Sequence, residues 1–591
     1  MARPVRIGNF SGFLGDRFTA LSEMLHGGEV DVVMGDYLAE ATMAGVTSAL
    51  RGDLEGQRAF YASPFLAQIE PELGFIADKG IKVVVNAGAF NPCGLAEALR
   101  GLIADHGLSL TVAYIDGDDV LATLPDMQHR GELRHLDTGG LLDVSDRRVV
   151  AANAYIGGWG ITTALRAGAD IVITGRVADA SLVTGPAAWW HDWNLDDWDR
   201  VAGAVVAGHV IECGPQPSGG NFSGFLQVPD RVVLGFPVAE VAHDGSSVIT
   251  KHPGAGGAVT VNTVTAQLLY EIQGVRYLNP DVIVHMDTVS VTQEGPDRVR
   301  VSGIVGSPAP LTTKIGIFAE HGYKSTFYGF VTGLDHEQKV ALLEEQLRGI
   351  ADSLQVSELR LRPLGRPVVD PASQWQATMA VFISAAAADK DTLQALHAGF
   401  MGLGLSSYPG WYADGSLNIT ARTEYLPGLM LQSTVSQVVH LPDGAAVEAP
   451  VVPGAEYHGQ KQHPGATGIA SARTEDEVTL PLGALVYARS SDKGANCDLG
   501  VWAADPTAAN WLIRFLTTNR LRELLHEPAD VTIERYELAN LNGLAFVLRG
   551  HLGTSGASNL DVDTLGKALS EFLRARLVRV PADVAALATA I

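Results

Sequence analysis

The stretch 81-IKVVVNAGAFNPCGLAEALRGLIADHG-107 contains one full unit of the pattern that decides the fold. A β-branched apolar run leads into a polar turn with two glycines at 86–94. The segment that follows has apolar residues at helical spacing and ends in glycine. Because the run is apolar on both faces, it is typical of a strand that helices cover on two sides. The unit therefore predicts a strand, a turn and a crossover helix in a parallel sheet.

The same unit recurs up to about residue 225. Its helical segments are predicted at 16–28 and 156–168, beside the one already described. This alternation predicts an α/β fold whose N-terminal part is mostly parallel, with an open or doubly wound sheet. The further predicted strands are 4-PVRIGNF-10, 30-VDVVMGDY-37, 109-SLTVAYIDG-117 and 169-ADIVITGR-176.

The rest of the chain has a different pattern of apolar residues. Alternating runs at 284–295 and 297–306 predict antiparallel strands, and 336–355 is a predicted helix. A strand, helix, strand, strand, helix pattern near the end predicts a small ferredoxin-like α+β domain. The predicted division is an α/β domain at 1–450, with a parallel part at 1–225 and an α+β part at 226–441, a linker at 451–480 and the small domain at 481–591.

Charge and hydropathy exclude several classes of partner. Lys and Arg total 42 against 66 Asp and Glu, and the formal charge of −24 disfavours nucleic acid and anionic membranes. No segment reaches about 18 uninterrupted apolar residues, and MARPVRIGNF lacks the apolar core of a secretion signal. We therefore expect a cytoplasmic protein without nucleic-acid or membrane partners.

The three cysteines, Cys93, Cys213 and Cys497, form no CxxC pair. Neither a disulfide framework nor a cysteine zinc site is indicated, and a reducing compartment fits best. Cys93 opens a predicted helix, where the macrodipole would favour a reactive thiolate, but a buried, inert cysteine is the favoured interpretation.

Polar residues follow the predicted parallel strands, where ligands of such sheets bind. Asparagine, serine and acidic side chains at these turns offer hydrogen bonds, and glycine lets the backbone approach a ligand closely. Each turn also has an interpretation as an ordinary capped turn. The candidates for substrate binding here are Asn9, Ser11, Gly12, Asp36, Asn86 and Gly88.

Arg176 and Asp179 follow the last predicted parallel strand. A guanidinium at this place is suited to hold a carboxylate or phosphate, with the aspartate orienting it. An internal salt bridge is the competing interpretation.

His209 and Glu212 stand three residues apart in 207-AGHVIECGPQPSGGNF-222 and would share a helix face. They suit a general acid/base pair or two metal ligands, whereas a structural pair is the alternative. Gly219 and Gly220 follow in a loop whose amides could hold an anion. The metal requirement stays unknown, with Asp36, Asp179, Glu212 and Asp287 as conceivable but unsupported ligands.

The stretch 486-VYARSSDKGANCDLGVW-502 is predicted to be the first strand and turn of the small domain. Its polar residues would lie at a strand-to-helix turn and either contact an anion or form an internal salt bridge with an Asn-stabilised loop. Cys497 is interpreted as a packing residue. The candidates for substrate binding here are Arg489, Asp492, Lys493 and Asn496.

The order of seven sequence blocks resembles the acyclic terpene utilisation A (AtuA) family. The similarity covers nearly the whole chain and implies a large AtuA domain followed by an AtuA-like ferredoxin-fold domain. The block at 153–158 adds Asn153 to the substrate-binding candidates. The blocks are 8-GNFSGFLGD-16, 31-DVVMGDYLAEATMA-44, 86-NAGAFNP-92, 153-NAYIGG-158, 170-DIVITGRVADASL-182, 203-GAVVAGHVIECG-214 and 487-YARSSDKGANCDLGV-501.

The resemblance implies a catabolic enzyme acting on a branched acyl-CoA, either isoprenoid or similar to 3-hydroxy-3-methylglutaryl-CoA, as a lyase or hydratase. On this interpretation His209, Glu212, Arg176 and Asp179 are catalytic. Coenzyme A enters only as part of the substrate, and no cofactor is required on sequence grounds.

Two other functions remain open at this point. One is an acyl-CoA thioesterase with Cys213 or a serine near 490 as nucleophile, although the chain has no GxSxG elbow. The other is a non-catalytic acyl-CoA-binding subunit of a carboxylase pathway. The Trp-rich segment 189–200 is interpreted as packing or an oligomer contact, and we expect a homo-oligomer.

Overall fold

The computed structural model describes residues 3–460, 462 and 477–588. Positions 461 and 463–476 of the predicted linker lie outside the described residues. Helix-forming and strand-forming segments alternate through the first half of the chain, as the apolar periodicity predicts. The strands up to residue 310 are β1 (Val5–Ser11), β2 (Val32–Gly35), β3 (Lys82–Val85), β4 (Val112–Asp116), β5 (Arg134–His135), β6 (Val149–Ala154), β7 (Ile171–Thr174), β8 (Pro237–Val241), β9 (Ser247–Lys251), β10 (Arg276–Asn279), β11 (Val282–His285), β12 (Ser290–Gly295), β13 (Arg298–Ser302), β14 (Val305–Ser307) and β15 (Ala309–Pro310).

The helices of this half are mostly one to four turns long. They are α1 (Ala20–Gly27), α2 (Glu40–Ala49), α3 (Leu54–Ala59), α4 (Pro64–Ile69), α5 (Leu73–Lys79), α6 (Pro92–Asp105), α7 (Leu124–His129), α8 (Trp159–Arg166), α9 (Ser181–His191), α10 (Trp198–Ile211) and α11 (Val261–Leu268).

The second half has longer strands. They are β16 (Thr312–Thr332), β17 (Glu358–Leu364), β18 (Thr378–Ala387), β19 (Tyr412–Ala413), β20 (Asn418–Leu431), β21 (Val438–His440), β22 (Ala446–Glu448), β23 (Gly454–Ala455), β24 (Glu477–Pro481), β25 (Tyr487–Lys493), β26 (Asn496–Trp502), β27 (Thr532–Leu538), β28 (Gly543–Arg549) and β29 (Leu577–Pro581). The helices are α12 (His336–Ser353), α13 (Lys390–Gly402), α14 (Pro506–Phe515), α15 (Thr518–Leu525), α16 (Leu569–Arg574) and α17 (Ala582–Ala585).

The first sheet has a parallel centre and antiparallel edges. Its order is β12-β13-β9-β8-β1-β2-β3-β7-β4-β21-β22, and the pairs from β1 to β4 are parallel. Strands β8 and β21 join this centre in antiparallel pairs. Segments on both sides of residue 226 therefore belong to one sheet, and the predicted mixed α/β fold class is confirmed.

Two apolar cores cover the two faces of this sheet. In β2, Val32 and Met34 pack into one core and Val33 into the other. In β7, Val172 faces the first core, while Ile171 and Ile173 face the second. Because successive side chains of a strand point to opposite faces, a run that is apolar throughout is buried on both sides.

The second sheet has the order β17-β18-β16-β20-β5, with β6 and β19 also pairing with β16. Its elements β16, α12, β17, β18, α13 and β20 follow the β-α-β-β-α-β sequence of a ferredoxin-like unit. The sequence analysis predicted a ferredoxin-like unit only near the end of the chain.

The C-terminal domain is an antiparallel sheet of order β25-β26-β28-β27, covered on one face by helices. The segment predicted as one helix at 509–525 forms two, α14 and α15. A strand that the sequence analysis missed, β26, follows β25 directly in an antiparallel pair.

Within the described residues, no helix is both long and apolar enough to cross a membrane.

Candidate active site

Polar side chains meet at the carboxyl edge of the parallel strands. Asn9 and Ser11 end β1, Asp36 follows β2, Asn86 follows β3 and Arg176 follows β7. All of them are buried. Since parallel strands present their carboxyl ends at the same edge, the fold brings together candidates that lie far apart in sequence.

Two of these side chains hold the loop that carries Asp36. Asn86 donates from Nδ2 to Asp36 Oδ1 at 2.6 Å, and Ser11 donates from Oγ to the Asp36 carbonyl at 3.1 Å. Asn9 donates from Nδ2 to the Glu212 carbonyl at 2.9 Å, while its Oδ1 has no hydrogen-bond partner among the described residues. Asn86 and Ser11 thus position Asp36, and Asn9 keeps a free acceptor.

The glycine loops are closed rather than open to an anion. Gly12 donates its N–H to Asp16, and Gly88 donates to the Thr174 carbonyl. In the 214–220 loop, Gly219 donates to the Gln216 carbonyl and Gly220 to the Pro215 carbonyl. The amides expected to hold an anion are therefore used within the protein, and close packing explains these glycines: a Cβ at Gly88 would lie 2.5 Å from the Thr174 carbonyl oxygen.

Arg176 forms the predicted pair with Asp179. Its Nη1 donates to Asp179 Oδ1 at 2.6 Å and to the Leu38 carbonyl at 2.8 Å. The guanidinium carbon lies 4.2 Å from the ring centroid of Tyr155, a cation–π distance. Nη2 has no hydrogen-bond partner among the described residues. Arg176 is therefore a buried cation with one free donor.

Burial acts strongly on two carboxyl groups near Arg176. Together with the charge of Asp179, it raises the pKa of both Asp36 and Glu212 well above the ordinary carboxyl range. Arg176 opposes this shift in both groups without outweighing it. The shift favours the protonated form of Glu212, the form that can donate a proton.

His209 lies one turn before Glu212, on α10, as the spacing predicts. Its Nδ1 is 3.6 Å from Glu212 Oε1, just beyond hydrogen-bond distance, and its ring is tilted against Tyr277 at 5.0 Å. Burial lowers the pKa of His209 to about 4, so the imidazole is neutral at pH 7. A carboxyl whose protonated form is favoured and a neutral proton acceptor thus stand side by side.

A third group of residues, which the sequence analysis missed, comes from α2, from the position directly after β6 and from β16. Tyr155 Oη and Lys314 Nζ both donate to Glu40 Oε1 at 2.6 Å. Burial opposes the charge of Glu40, but Lys314, Lys493 and Arg176 hold its pKa well below the ordinary range. Glu40 and Tyr155 lie inside two of the quoted sequence blocks, and that was the only signal available for them.

The stretch at 487–502 is a hairpin, which corrects the predicted strand-to-helix turn. Strands β25 and β26 pair from Tyr487 opposite Trp502 to Lys493 opposite Asn496. Because side chains alternate along a strand, one face carries Arg489, Ser491, Lys493 and Asn496, whereas the other carries Ser490, Asp492 and Cys497. Cys497 is fully buried in the apolar core of the domain.

The hairpin contributes charge to the site. Lys493 forms an ion pair with Glu271, and Ser491 Oγ donates to Glu271 Oε1 at 2.7 Å. Lys567 Nζ lies 3.6 Å from the same oxygen. Burial opposes ionisation of Glu271, but the two lysines hold its pKa well below the ordinary range. Glu271 has φ +58°, a left-handed conformation uncommon for a side chain of this size.

The other hairpin candidates are engaged within the protein. Arg489 binds the Gln216 side chain, donates to the Asn221 carbonyl at 2.6 Å and lies 4.4 Å over the Tyr270 ring. Asn496 donates from Nδ2 to Asp137 at 2.9 Å. Both side chains therefore hold the C-terminal domain to the rest of the chain.

Asp492 is mostly buried beside the same interface. Burial, with Glu271 nearby, raises its pKa to about 6. The Asp492 side chain lies on the same face of the hairpin as Cys497, opposite the face that carries Lys493.

These groups form a charged cluster. Its more exposed members, which we call the rim, have side-chain exposures of 28% for Asp179, 22% for Lys314 and 21% for Lys493, whereas Arg176 and Glu212, which we call the floor, are 2% and 6% exposed. We call this arrangement of rim and floor the junction. Three parts of the chain, the parallel sheet, the second sheet and the C-terminal domain, contribute to it.

Other candidates lie apart from the junction or are engaged. Asp287 pairs with Arg276 at 2.6 Å beside a groove of about 380 Å³ on the outer face of β10 and β11. Cys93 is partly exposed, with Sγ 3.8 Å from Glu97 Oε1. Across the described residues, no group of three His, Cys, Asp or Glu side chains is placed to hold a metal ion.

Two family models match the chain. Residues 5–441 match the model described as acyclic terpene utilisation family protein AtuA, and residues 480–579 match the AtuA ferredoxin-like domain. Both the resemblance predicted from the seven sequence blocks and the ferredoxin-like C-terminal domain are confirmed. Neither a curated protein nor a solved structure matches the chain.

Proposed function

The chain belongs to the acyclic terpene utilisation family AtuA, and from that membership, which suggests a role in acyclic terpene utilisation, we propose that it acts on a branched acyl-CoA thioester as a lyase or hydratase. Coenzyme A would enter as part of the substrate, either an isoprenoid thioester or one similar to 3-hydroxy-3-methylglutaryl-CoA. We further propose that the protein works in the cytoplasm as a homo-oligomer.

One observation carries the proposed chemistry. The floor of the junction places Glu212, a carboxyl whose raised pKa favours its protonated form, beside a neutral imidazole, His209, and a buried guanidinium with a free Nη2 donor, Arg176. Unpaired buried donors and acceptors are costly in a folded protein unless a ligand or water completes them. A polar substrate would supply the missing partners.

Cleavage and hydration of such thioesters need the same three groups. In cleavage, a base takes the β-hydroxyl proton, the Cα–Cβ bond breaks, and its electron pair forms a thioester enolate that an acid protonates at Cα. In hydration, the base takes a proton from water as the oxygen adds to Cβ, and the enolate is again protonated at Cα. His209 would accept the proton, Glu212 would return one, and Arg176 would stabilise the enolate oxygen.

The thioesterase alternative receives less support from the geometry. Burial, with Glu212 beside it, raises the pKa of the Cys213 thiol well above its ordinary range, which disfavours a nucleophilic thiolate. Ser490 donates to the Gly566 carbonyl at 2.6 Å and accepts the Ser570 N–H, so its hydroxyl is occupied. The non-catalytic binding subunit stays as the second alternative.

The test is direct. The purified protein is incubated with branched 3-hydroxyacyl-CoA and enoyl-CoA thioesters, and the products are followed by mass spectrometry. Two shorter products or a gain of water support the proposal. Free coenzyme A with an intact acid would instead identify a thioesterase, and unchanged thioester with measurable binding would identify a binding subunit.

A further inference from the structure

Asp118 lies behind the junction and was not a candidate from sequence. It follows β4, is buried, and accepts two hydrogen bonds at Oδ2. The backbone N–H of Arg176 and Nδ2 of Asn153 each donate to this oxygen at 2.8 Å. One carboxylate therefore holds residues from two sheets, because Arg176 follows β7 of the first sheet and Asn153 lies in β6, which pairs with β16 of the second.

The surrounding backbone is shaped for this carboxylate. A Cβ at Gly175 would overlap the side-chain oxygens of Asp118, so a larger residue there would displace the carboxylate. The Ala154 N–H donates to the Asp118 carbonyl at 2.7 Å, which fixes the Asp118 backbone against β6. The position of Asp118 is thus determined from both sheets.

This arrangement decides which atoms of Asn153 and Arg176 are left without a hydrogen-bond partner among the described residues. Because the amide nitrogen of Asn153 is bound to Asp118, its Oδ1 points away and has no hydrogen-bond partner among the described residues. Because the Arg176 backbone is fixed, its guanidinium rests on the Tyr155 ring with Nη2 free. One free acceptor and one free donor depend on the same carboxylate.

We propose that Asp118 is a positioning residue that sets the free Nη2 donor of Arg176 and the free Oδ1 acceptor of Asn153 for the substrate. Its hydrogen bonds are strongest when the carboxylate is ionised, since charge-assisted bonds are about twice as strong as neutral ones. The role in turnover depends on the proposed function, whereas the positioning itself does not.

Protonation of Asp118 gives the proposal a measurable signature. Burial raises its pKa to about 7, the N–H of Arg176 and the amide of Asn153 lower it, and the neighbouring charge of Asp119 raises it further. A carboxyl with a raised pKa contributes stability at low pH that is lost as the pH rises through about 7. Turnover should change in the opposite direction, because ionised Asp118 positions its partners best.

The experiment compares Asp118→Asn and Asp118→Ala with Asp119→Asn, a neighbouring exposed carboxyl whose Oδ1 caps only the Leu121 N–H. We expect the Ala variant to lose at least tenfold in kcat/KM. The Asn variant, which cannot ionise, should lose the acid limb near pH 7 of the kcat/KM profile. The Asp119 variant should keep its rate and an acid limb, with the limb moved to lower pH because the charge that raises the pKa of Asp118 is gone.

Crystal structures of the Asp118 variants test positioning without any turnover. In the Ala variant, the Asn153 amide and the Arg176 guanidinium should leave their places by more than about 0.5 Å, a displacement that disables a preorganised site. If both stay in place, the proposal is overturned whatever the reaction is. If the natural protein converts no thioester, the proposed function fails, and the crystal structures still decide the role of Asp118.

Discussion

At the scale of single residues, ionisation rather than identity distinguishes the members of the junction. The pKa values of Asp36 and Glu212 are raised, which favours their protonated forms, whereas those of Glu40 and Glu271 are lowered, which favours their charged forms. The sequence could predict the first pair as candidates because strand ends and HxxE spacing have recognisable positions. It could not predict the second pair, since each is a single acid whose lysine partners come from distant segments.

Glu212→Gln should abolish most turnover. Glutamine keeps the shape of the side chain and can form hydrogen bonds through its amide, but it cannot transfer a proton. General acid catalysis contributes about 10²- to 10⁴-fold. We expect a drop of that size in kcat with an unchanged circular dichroism spectrum. Glu97→Gln, on the surface of α6, is the matched control. A Glu212→Gln variant with more than half of the normal rate would remove this residue from the mechanism.

His209 should make stability depend on pH. Its pKa is lowered from 6.5 to about 4 in the folded state, so the unfolded chain takes up the proton first as the pH falls. The free energy of unfolding should therefore decrease between about pH 6.5 and 4, by an amount on the order of 3 kcal/mol. Urea unfolding of the natural chain and of His209→Gln would measure it. Parallel pH profiles of the two proteins would contradict the assignment.

At the scale of elements, the hairpin of β25 and β26 joins the C-terminal domain to the junction. Gly500 in β26 lies against Leu269, directly before the loop that carries Glu271. The sequence predicted the polar content of this hairpin but read the turn as the start of a helix. The turn glycine, Gly494, is compatible with either structure. Only the pairing of β26 with β28 shows that a strand follows the turn.

Gly500→Ala should separate the hairpin from that loop. An added Cβ would lie 2.6 Å from Leu269 Cβ and 2.7 Å from the Leu269 carbonyl oxygen. We expect a loss of about 1–3 kcal/mol in unfolding free energy. We also expect kcat/KM to fall at least tenfold, because Lys493 in β25 moves with the hairpin. Gly101→Ala in α6, where no other group approaches the new Cβ, should be neutral or stabilising by about 0.5–1 kcal/mol. Equal behaviour of the two variants would contradict the close contact.

At the scale of the whole molecule, the C-terminal domain meets the rest of the chain through polar contacts and through the apolar core that Trp502 and Val547 share with the first sheet. The sequence predicted the parallel sheet because its strands are local apolar runs with turns at both ends. The ferredoxin-like unit built on β16 escaped prediction, since its strand order depends on pairings such as Thr312 with Leu431 that no local pattern specifies.

Asp137→Ala should weaken the contact between the C-terminal domain and the rest of the chain. Asp137 accepts hydrogen bonds from Arg549 at 2.6 Å and Asn496 at 2.9 Å, both in the C-terminal domain. Losing these bonds should lower the unfolding free energy by about 1–3 kcal/mol. In calorimetry, the C-terminal domain should then unfold at a lower temperature than the remainder. Asp146→Ala, an exposed neighbour, is the control, and a single unshifted transition for Asp137→Ala would refute the coupling.

The ion pair between Glu271 and Lys493 joins residues 222 positions apart in the chain. During synthesis the parallel sheet leaves the ribosome long before its lysine partner exists. Glu271 therefore lacks this counter-ion until residue 493 is translated. A chain that stops before the hairpin thus has the parallel sheet but an incomplete junction.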